Sequence, residues 1–349
     1  MAYTTIDDPT IYFNTKLYTG NGSTGHAITG VGFQPDWVWL KNRNTTNTHE
    51  AFDSVRGATK TLYPDRSDAE YVNATGSLTS FNSDGFTVGS GDGANKSGSG
   101  IASWNWKAGG SASSNTDGSI TSTVSANTTA GFSIVSYTGT GSNATVGHGL
   151  GAVPYMMIIK KRNSATSSNW MVYHQSISGT GNGHIWLDLT NDRGNDVNSW
   201  NNTAPTSSVF SIGTRSENNA SGSTYIAYCF SEVKSFSKFG SYFGNGSNDG
   251  SYIHLGFKPA FFMVKRTDTT NDWQMHDSTR DTFNGVTQRL MANLSDAEAT
   301  TGAFYDFTST GVKCRNTDFS MNASGGTYIY MAFAESPFTN SNGVPNNAR

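Results

Sequence analysis

The sequence predicts an all-β protein made of three tandem antiparallel β-sandwich repeats, and three observations lead to this prediction. A set of landmarks (Tyr, Gly-x-Gly, Gly-x-x-Pro and Lys) occurs three times along the 349 residues. Short runs rich in aromatic and β-branched residues are separated by turn signals every ten or so positions. No window shows the sustained apolar period of a helix. A jelly-roll, lectin-like arrangement is the preferred version, and an immunoglobulin-like sandwich is the alternative.

The three copies keep the same distances between their landmarks. Tyr18, Tyr137 and Tyr242 each stand 17 positions before a proline, and each proline stands 6 positions before a lysine. Spacing that is fixed in three copies indicates a triplicated unit. The residues of this structural repeat motif are Gly32, Pro35 and Lys41 in the first copy, Gly151, Pro154 and Lys160 in the second, and Gly256, Pro259 and Lys265 in the third.

The repeats divide the chain into six segments. These are an N-terminal arm (1–10), repeat one (11–108), a Gly/Ser/Thr-rich linker (109–130), repeat two (131–234), repeat three (235–337) and a polar tail (338–349). The linker has no large aromatic residue, so we expect it to be exposed, with at most one short strand at 120–124. The arm either ties the protein to something else or frays, and the tail is expected to be loose.

Local signals place the strands of repeat one. Residues 12–19 alternate as a strand does, and a second strand follows at 36–41, where Pro35 stands at its start and its missing N–H does least harm. Residues 81–88 predict a strand, an Asp-Gly turn and a second strand. Residues 101–107 predict a closing strand with Trp104 and Trp106 on one face.

Composition excludes several classes of protein. Charged residues make up 14%, below the roughly 25% of typical soluble proteins, whereas 12% aromatic residues are enough to build cores and argue against disorder. The net charge of −3 provides no basic field for nucleic acid. No apolar stretch approaches a membrane span, so no membrane insertion is expected, and the first residues do not resemble a secretory signal. Cys229 and Cys314 lie in different repeats and are interpreted as buried small hydrophobes.

No motif predicts an enzyme, a cofactor or a metal site. The histidines form no zinc-binding spacing, and neither a nucleophile elbow nor a phosphate loop is present. Residues 20–25 match G-x-G-x-x-G formally, but no helix follows as dinucleotide binding requires, so we interpret them as a hairpin turn. A glycosidase with distant carboxylates would leave no motif, and metal binding at the turns near Asp84 and Asp92 stays open.

The repeated glycines and charged residues have structural interpretations. Each Gly-x-x-Pro is interpreted as a turn that needs positive φ at its glycine. The lysine that follows is expected to be a surface charge or the partner of an acid such as Asp53 or Asp277. For both aspartates an ion pair with Arg56 or Arg280 is favoured over catalysis. Repeat two lacks this Asp-Ser-x-Arg, and the Ser-Asp-Ala-Glu of 67–70 recurs only at 295–298.

Tryptophans are the best candidates for ligand binding. Trp37 and Trp39 alternate with Val38, so both indoles face outward if Val38 faces the core. Aromatic faces stack on sugars and anchor protein interfaces. The candidate ligand-binding residues are therefore Trp37, Trp39, Trp170 and Trp273. The alternative is that they fill cores or contacts between copies.

Several segments carry a resemblance to a known module. They are residues 137–141, 148–151, 159–163 and 169–173 of repeat two, and 52–60, 81–86 and 104–110 of repeat one. These motifs resemble a module of virion structural proteins of tailed phages, especially marine and cyanophage types, and the resemblance covers about residues 11–337. Members of that group are labelled tail-fibre-like or structural. The resemblance implies a lectin-like sandwich and brings no catalytic residues.

The resemblance implies a structural component of a phage virion, exposed on the tail (fibre or knob) or on the head, that contributes to host attachment. The alternatives are a dedicated glycan-binding receptor-recognition protein, a capsid decoration protein and a polysaccharide depolymerase. Expected partners are other virion proteins and a host-surface glycan. A homo-oligomer, such as a trimer, is expected by analogy with fibres, although three internal copies could also stand in for three subunits.

Overall fold

A computed structural model describes residues 3–163, 168–179 and 181–346, and in these residues the protein is all-β with antiparallel sheets. The strands of repeat one are β1 (Phe13–Thr19), β2 (His26–Thr29), β3 (Trp37–Asn42), β4 (Glu50–Asp53), β5 (Lys60–Thr61), β6 (Tyr71–Val72), β7 (Leu78–Asn82), β8 (Gly85–Val88) and β9 (Gly100–Trp106). The next strands are β10 (Ser113–Asn115), β11 (Ser122–Asn127), β12 (Phe132–Thr138), β13 (Ala144–Gly147), β14 (Met156–Lys161), β15 (Met171–His174), β16 (Gly183–Trp186), β17 (Gly194–Asn195), β18 (Val209–Ile212) and β19 (Thr224–Phe230).

Repeat three contains β20 (Ser237–Phe243), β21 (Tyr252–His254), β22 (Phe257–Arg266), β23 (Trp273–Asp277), β24 (Val286–Met291), β25 (Ala299–Thr308), β26 (Gly311–Cys314) and β27 (Thr327–Pro337). Helical segments are single turns: a 3-10 turn at Pro9–Ile11, α1 (Asp92–Asn95), α2 (Gln175–Ser178), α3 (Val197–Trp200), α4 (Ser216–Asn219) and α5 (Phe319–Asn322). The hairpin predicted at 81–88 is confirmed, because Asn82 pairs with Gly85, but its turn residues are Ser83 and Asp84, and Gly85 begins β8.

Each of the three copies has a central sheet, and the strand order of this sheet is the same in all three. Its strand order is β1-β9-β3-β4 in the first copy, β12-β19-β14-β15 in the second and β20-β27-β22-β23 in the third. The register also agrees, since the second residue after each motif proline pairs with an aromatic residue of the closing strand. These pairs are Trp37 with Trp106, Met156 with Phe230, and Phe261 with Phe333. Equivalent positions can therefore be compared across the copies.

A second layer covers one face of each central sheet. It consists of β2-β8-β7 in the first copy, β13-β18 in the second and β21-β26-β25 in the third. In repeat one, Val38 and Leu40 of β3 pack with Phe86 of β8 in one buried cluster. Repeats two and three have corresponding clusters, and the free thiols of Cys229 and Cys314 are buried there. Burial of both cysteines confirms their interpretation as core residues.

The other faces of the three central sheets pack against one another in a common aromatic core. Trp37 stacks on Tyr228 of repeat two with ring centroids 4.3 Å apart. Phe13 stacks on Phe333 of repeat three at 4.9 Å, and Phe230 contacts Phe333 at 6.0 Å. One buried cluster thus takes side chains from all three repeats. We call it the common core.

The prediction that Trp37 and Trp39 face outward is wrong, because each is only 1% exposed. Alternation along β3 does hold, and both indoles point away from the core of their own repeat. Trp104 and Trp106 share their face, as predicted. What lies beyond that face is the common core rather than solvent. The alternative interpretation, contacts between copies, is the one that this burial supports.

The stretch from 109 to 130 is exposed at 111–114, as expected, but it belongs to a sheet and is not a linker. It supplies β10 and β11, and β11 extends the central sheet of repeat two by pairing with β12. Ser122 and Ser125 are buried in this strand. This strand lies close to the short strand considered at 120–124, and a run of small polar residues can form it because sheet pairing uses the backbone.

The two ends of the chain lie together. Ile6 is 2% exposed and belongs to the common core. The backbone N–H of Ser341 donates to Asp7 Oδ1 at 2.7 Å, and the ring of Tyr3 contacts Phe338 at 6.2 Å. Within the described residues the arm and the tail therefore pack on the protein, contrary to the frayed alternative for the arm and to the loose tail that was expected.

Glycines in the repeat motif serve turn geometry. Gly32, Gly151 and Gly256 have φ of 91°, 69° and 83°, as the turn interpretation requires. The G-x-G segment is a connection between the two layers rather than a hairpin, because β1 pairs with β9 and β2 pairs with β8. A Cβ on Gly20 would lie 2.2 Å from the carbonyl oxygen of Lys96, so only glycine fits.

We expect truncation of a common-core residue to destabilise the whole chain. Trp37→Ala should lower the free energy of unfolding by about 3–5 kcal/mol, because it removes a large side chain that two repeats share. Denaturant unfolding measures the change. Phe283→Ala is the control, since Phe283 is 81% exposed and its truncation should change stability little. Equal stability of both variants would contradict the common core.

Candidate functional site at the interfaces between repeats

The landmark lysine of each repeat lies at an interface with a neighbouring repeat. Lys41 Nζ donates to the carbonyl of Ser295 in repeat three at 3.0 Å. Lys160 Nζ donates to the carbonyl of Ser67 in repeat one at 2.8 Å. Lys265 Nζ donates to the carbonyl of Thr190 in repeat two at 3.1 Å. The contacts run in one direction and close a ring, as head-to-tail interfaces do when their rotation closes.

These lysines are neither surface charges nor partners of aspartate. All three are 0% exposed, and their other acceptors are nearby carbonyl oxygens of their own repeats. Burial lowers the pKa of each lysine to about 8, although acidic residues farther away raise it. Each ammonium is thus a buried donor that joins two chain segments. Because each ammonium group is buried, a substrate has no access to it.

Two of the three interfaces also contain a buried network of ion pairs. Arg162 of repeat two binds Glu70 of repeat one, with Nε 2.9 Å from Oε2, and Arg56 Nη1 lies 3.2 Å from the same oxygen. Burial raises the pKa of Glu70, but the two guanidinium groups bring it below its usual value. Arg56 in turn binds Asp53 at 2.5 Å, and both side chains are 0% exposed. The interface of repeats one and three repeats this network with Arg43, Glu298, Arg280 and Asp277.

The buried aspartates also accept hydrogen bonds from the neighbouring repeat. Tyr228 of repeat two donates its hydroxyl to Asp53 Oδ2 at 2.8 Å. Trp104 of repeat one donates Nε1–H to Asp277 Oδ2 at 3.0 Å. The favoured interpretation of Asp53 and Asp277 as structural ion-pair partners is confirmed. Both carboxylates therefore accept hydrogen bonds from their own repeat and from the neighbouring repeat, and both are buried.

Repeat two lacks the aspartate, the first arginine and the glutamate of this network, and repeat three lacks the arginine that crosses the interface. His174 stands at the aspartate position and Ile177 at the first arginine position. Arg193 takes the glutamate position, since its backbone N–H donates to Thr267 O at 3.1 Å, just as that of Glu70 donates to Arg162 O at 2.9 Å. Thr267 therefore stands where the other interfaces have arginine. An arginine there would have faced Arg193, a like-charge contact that the shorter threonine avoids.

The same interface adapts at the aspartate position. Met331 of repeat three is the counterpart of Trp104 and Tyr228 and has no hydrogen-bond donor. His174 instead places Nε2 3.1 Å from the carbonyl oxygen of Tyr330, and the backbone N–H of Ser176 donates to Nδ1. Nε2 therefore carries the proton. Burial lowers the pKa of His174 to about 4, while the Tyr330 carbonyl raises it.

A cleft of about 320 Å³ opens at the interface of repeats two and three. Its walls include Arg193 of repeat two and Ser241, Phe243 and Asp268 of repeat three. Phe243 is 72% exposed. Asp268 is bound by Arg266 through both carboxylate oxygens at 2.9 Å. Hydrogen bonding from Arg266 lowers the pKa of Asp268 to about 2. The cleft thus combines a cation, an exposed aromatic ring and hydroxyl groups.

The predicted ligand-binding tryptophans are anchors between repeats. Trp170 is 0% and Trp273 1% exposed. Trp170 donates Nε1–H to Tyr63 O of repeat one, and Trp273 donates to Trp186 O of repeat two, both at 2.8 Å. His49 holds the equivalent position in repeat one, and its Nε2 lies 3.0 Å from Met291 O of repeat three. These contacts give the tryptophans the same cyclic direction as the lysines.

Sequence reasoning missed the acid–base pairs that cross the interfaces. A signal was present, because the Glu of Ser-Asp-Ala-Glu and the Arg of Asp-Ser-x-Arg are absent together from repeat two. Joint loss indicates contact, and Arg56 does bind Glu70. The crossing partners Arg43 and Arg162 lie two positions after the landmark lysines. The cleft itself could be placed only once the interfaces were known.

No group of three or more His, Cys, Asp and Glu side chains among the described residues is placed to hold a metal ion. Asp84, at a turn where metal binding was left open, accepts the backbone N–H groups of Gly30 and Gly32 at 2.9 and 2.7 Å. Among helices of the described residues, none has the length and apolar character needed to cross a membrane.

A family model described as a domain of unknown function (DUF7483) matches residues 8–337. The match therefore includes all three repeats and the segments between them. No curated protein matches the chain.

We expect Lys160→Met to lower the free energy of unfolding by about 2–4 kcal/mol. The substitution keeps the apolar stem but leaves the buried carbonyls of Ser67 and Ser168 without their donor. Denaturant unfolding measures the loss. Lys161→Met is the matched control, because the neighbouring lysine is only half-buried and should tolerate the change. A neutral Lys160→Met would contradict the role of the lysine as a link between repeats.

His174 should make stability depend on pH. Its folded pKa of about 4 lies below the unfolded value of roughly 6.5, so only the unfolded chain gains a proton between these values. Its contribution is complete above pH ~6.5 and declines as the pH falls toward 4. We expect the free energy of unfolding of the wild type to fall relative to His174→Gln by up to about 3 kcal/mol between pH 7 and pH 4. A constant difference across this range would show that His174 is not buried neutral.

Proposed function

Because the chain belongs to the DUF7483 family, whose function is unknown, we propose its function from its architecture: it is a non-enzymatic structural protein of a tailed-phage particle that contributes to host-surface attachment. The motifs at 137–141 and 104–110, with their resemblance to virion modules, support the phage setting. In this proposal each repeat is a β-sandwich of the jelly-roll type. The protein is located in the virion.

The observation that carries the proposal is the closure of three like repeats around one common core. Fibre and knob proteins commonly reach such an arrangement with three chains, whereas here one chain supplies all three copies. Cyclic contacts that close into a ring hold the three repeats rigidly, as expected of a protein that contacts other virion proteins at a threefold position. In this proposal the chain takes the place of a homotrimer.

The state of the charged residues supports a structural role over catalysis. The side chains of Asp53, Arg56 and Lys160 are buried and bound to partners in neighbouring segments. A catalytic group has to reach its substrate. These groups instead join the repeats.

Glycan recognition is the second candidate, and the cleft between repeats two and three favours it. Exposed aromatic rings beside hydroxyl and charged groups are suited to sugars, whose C–H faces pack on rings and whose hydroxyls need polar partners. Phe243 supplies such a ring. The structural role and glycan recognition are compatible, because an attachment protein both supports the particle and recognises the host surface.

The proposed location can be tested by quantitative mass spectrometry of density-purified particles from the phage that encodes the chain. We expect the chain to copurify with the capsid and tail proteins at a fixed ratio and to stay bound after a salt wash. A non-structural phage protein made at similar abundance serves as the contamination control. Absence from particles that contain their other structural proteins would overturn the proposal.

A further inference from the structure

We propose that the cleft between repeats two and three binds an acidic sugar residue, whose anionic group pairs with Arg193 while its ring packs on Phe243. The proposal deepens the attachment role and rests on it for its biological setting. Its chemistry follows from the way in which this interface differs from the other two. Those interfaces serve as internal controls, since they share the backbone contacts but have no such combination of side chains.

The cleft exists because two large side chains are missing from it. At the interface of repeats one and two, Arg162 extends across the boundary, binds Glu70 and reaches Ser136 Oγ at 3.5 Å. Thr267 replaces this arginine at the third interface, and Ile177 replaces Arg56. The space of a guanidinium group is therefore free, and a cavity of about 320 Å³ lies there. This volume is at the lower end of the range of small-molecule sites.

Arg193 is placed to bind an anion. Arg193 occupies the position at which the other interfaces place a glutamate, and its side chain is exposed. Its side-chain hydrogen bond within the described chain is to Asn195 Oδ1 at 3.2 Å, a neutral acceptor. The carboxylate of Asp268 in the same cleft is already bound by Arg266 through both oxygens. A guanidinium group pairs well with a carboxylate or sulfate through two parallel hydrogen bonds.

The remaining wall is suited to a sugar ring. Phe243 stands where repeats one and two have Thr19 and Thr138, and it is 72% exposed. Ser241 is the counterpart of Ser136 but has no arginine to contact. In the described part of the chain, the hydroxyls of Ser176 and Ser241 make no side-chain hydrogen bond, and both residues are exposed at the cleft. An aromatic face, two open hydroxyls and a guanidinium group are together the partners that an acidic pyranose needs.

The test uses variants that copy residues from the other interfaces into this one. Calorimetric titration with tetragalacturonate is expected to show saturable binding to the full chain, and neutral cellotetraose is expected to bind at least about tenfold more weakly. The double variant R193E/T267R rebuilds the ion pair of the other interfaces and fills the cleft. We expect it to lose binding at least about tenfold while its melting temperature stays equal to or above that of the wild type. Phe243→Thr should weaken binding of the same probe, and Lys161→Glu, a charge reversal outside the cleft, should not.

Each outcome decides between explanations. A chondroitin sulfate oligosaccharide that binds where unsulfated chondroitin and tetragalacturonate do not, with the same loss in R193E/T267R, would identify sulfate as the anionic group and support the site. Equal binding of acidic probes by the wild type and a folded R193E/T267R would overturn it, as would no binding of either acidic probe. If the double variant does not fold, the single variant Phe243→Thr is the test: weaker binding of the acidic probe supports the site, and unchanged binding overturns it. Binding by a protein that is absent from particles would refute the virion proposal and leave the site standing.

Discussion

Burial of both faces of the three central sheets is the constraint on which the rest of this structure depends. β3 puts Val38 and Leu40 into the core of its own repeat, while Trp37 and Trp39 on its other face enter the common core. A repeat alone would expose that second face, a large apolar patch that soluble monomers avoid. Three repeats that meet around one centre remove all three patches at once. Charged residues make up only 14% of the chain, which fits a protein whose sheets have so little surface in contact with solvent.

Contacts between the repeats follow a single cyclic rule with one exception. The landmark lysines, and the tryptophans of repeats two and three, donate to carbonyls of the same neighbouring repeat, and the direction of the lysine contacts closes the ring. Ion pairs strengthen two of the interfaces. At the third, Arg193 and Thr267 have changed together, because a single change would have left a buried charge unpaired or opposed. An interface freed from its ion pair is where a new site can arise, and the cleft lies at that interface.

The sequence predicted those features whose cause is local. The hairpin turn before Gly85, the positive φ of Gly32 and the Asp53–Arg56 pair depend on neighbouring residues, and all were found. Alternation predicted which face Trp37 occupies, but it carries no information about what covers that face. Lys160 was misjudged because its partners are backbone carbonyls, which have no sequence signature. A short strand at 120–124 was considered, and β11 lies close to it, but its place in the sheet of repeat two was not foreseen, since its pairing needs no particular side chain.

Small-angle X-ray scattering of the purified chain tests the central claim, the closure of three repeats around one core, most directly. A closed body of 349 residues should have a radius of gyration of about 20 Å that does not change with concentration. Three bodies of ~13 Å each in an open row would give roughly 30 Å. The smaller value is the result that a common core requires, and the larger one would contradict it.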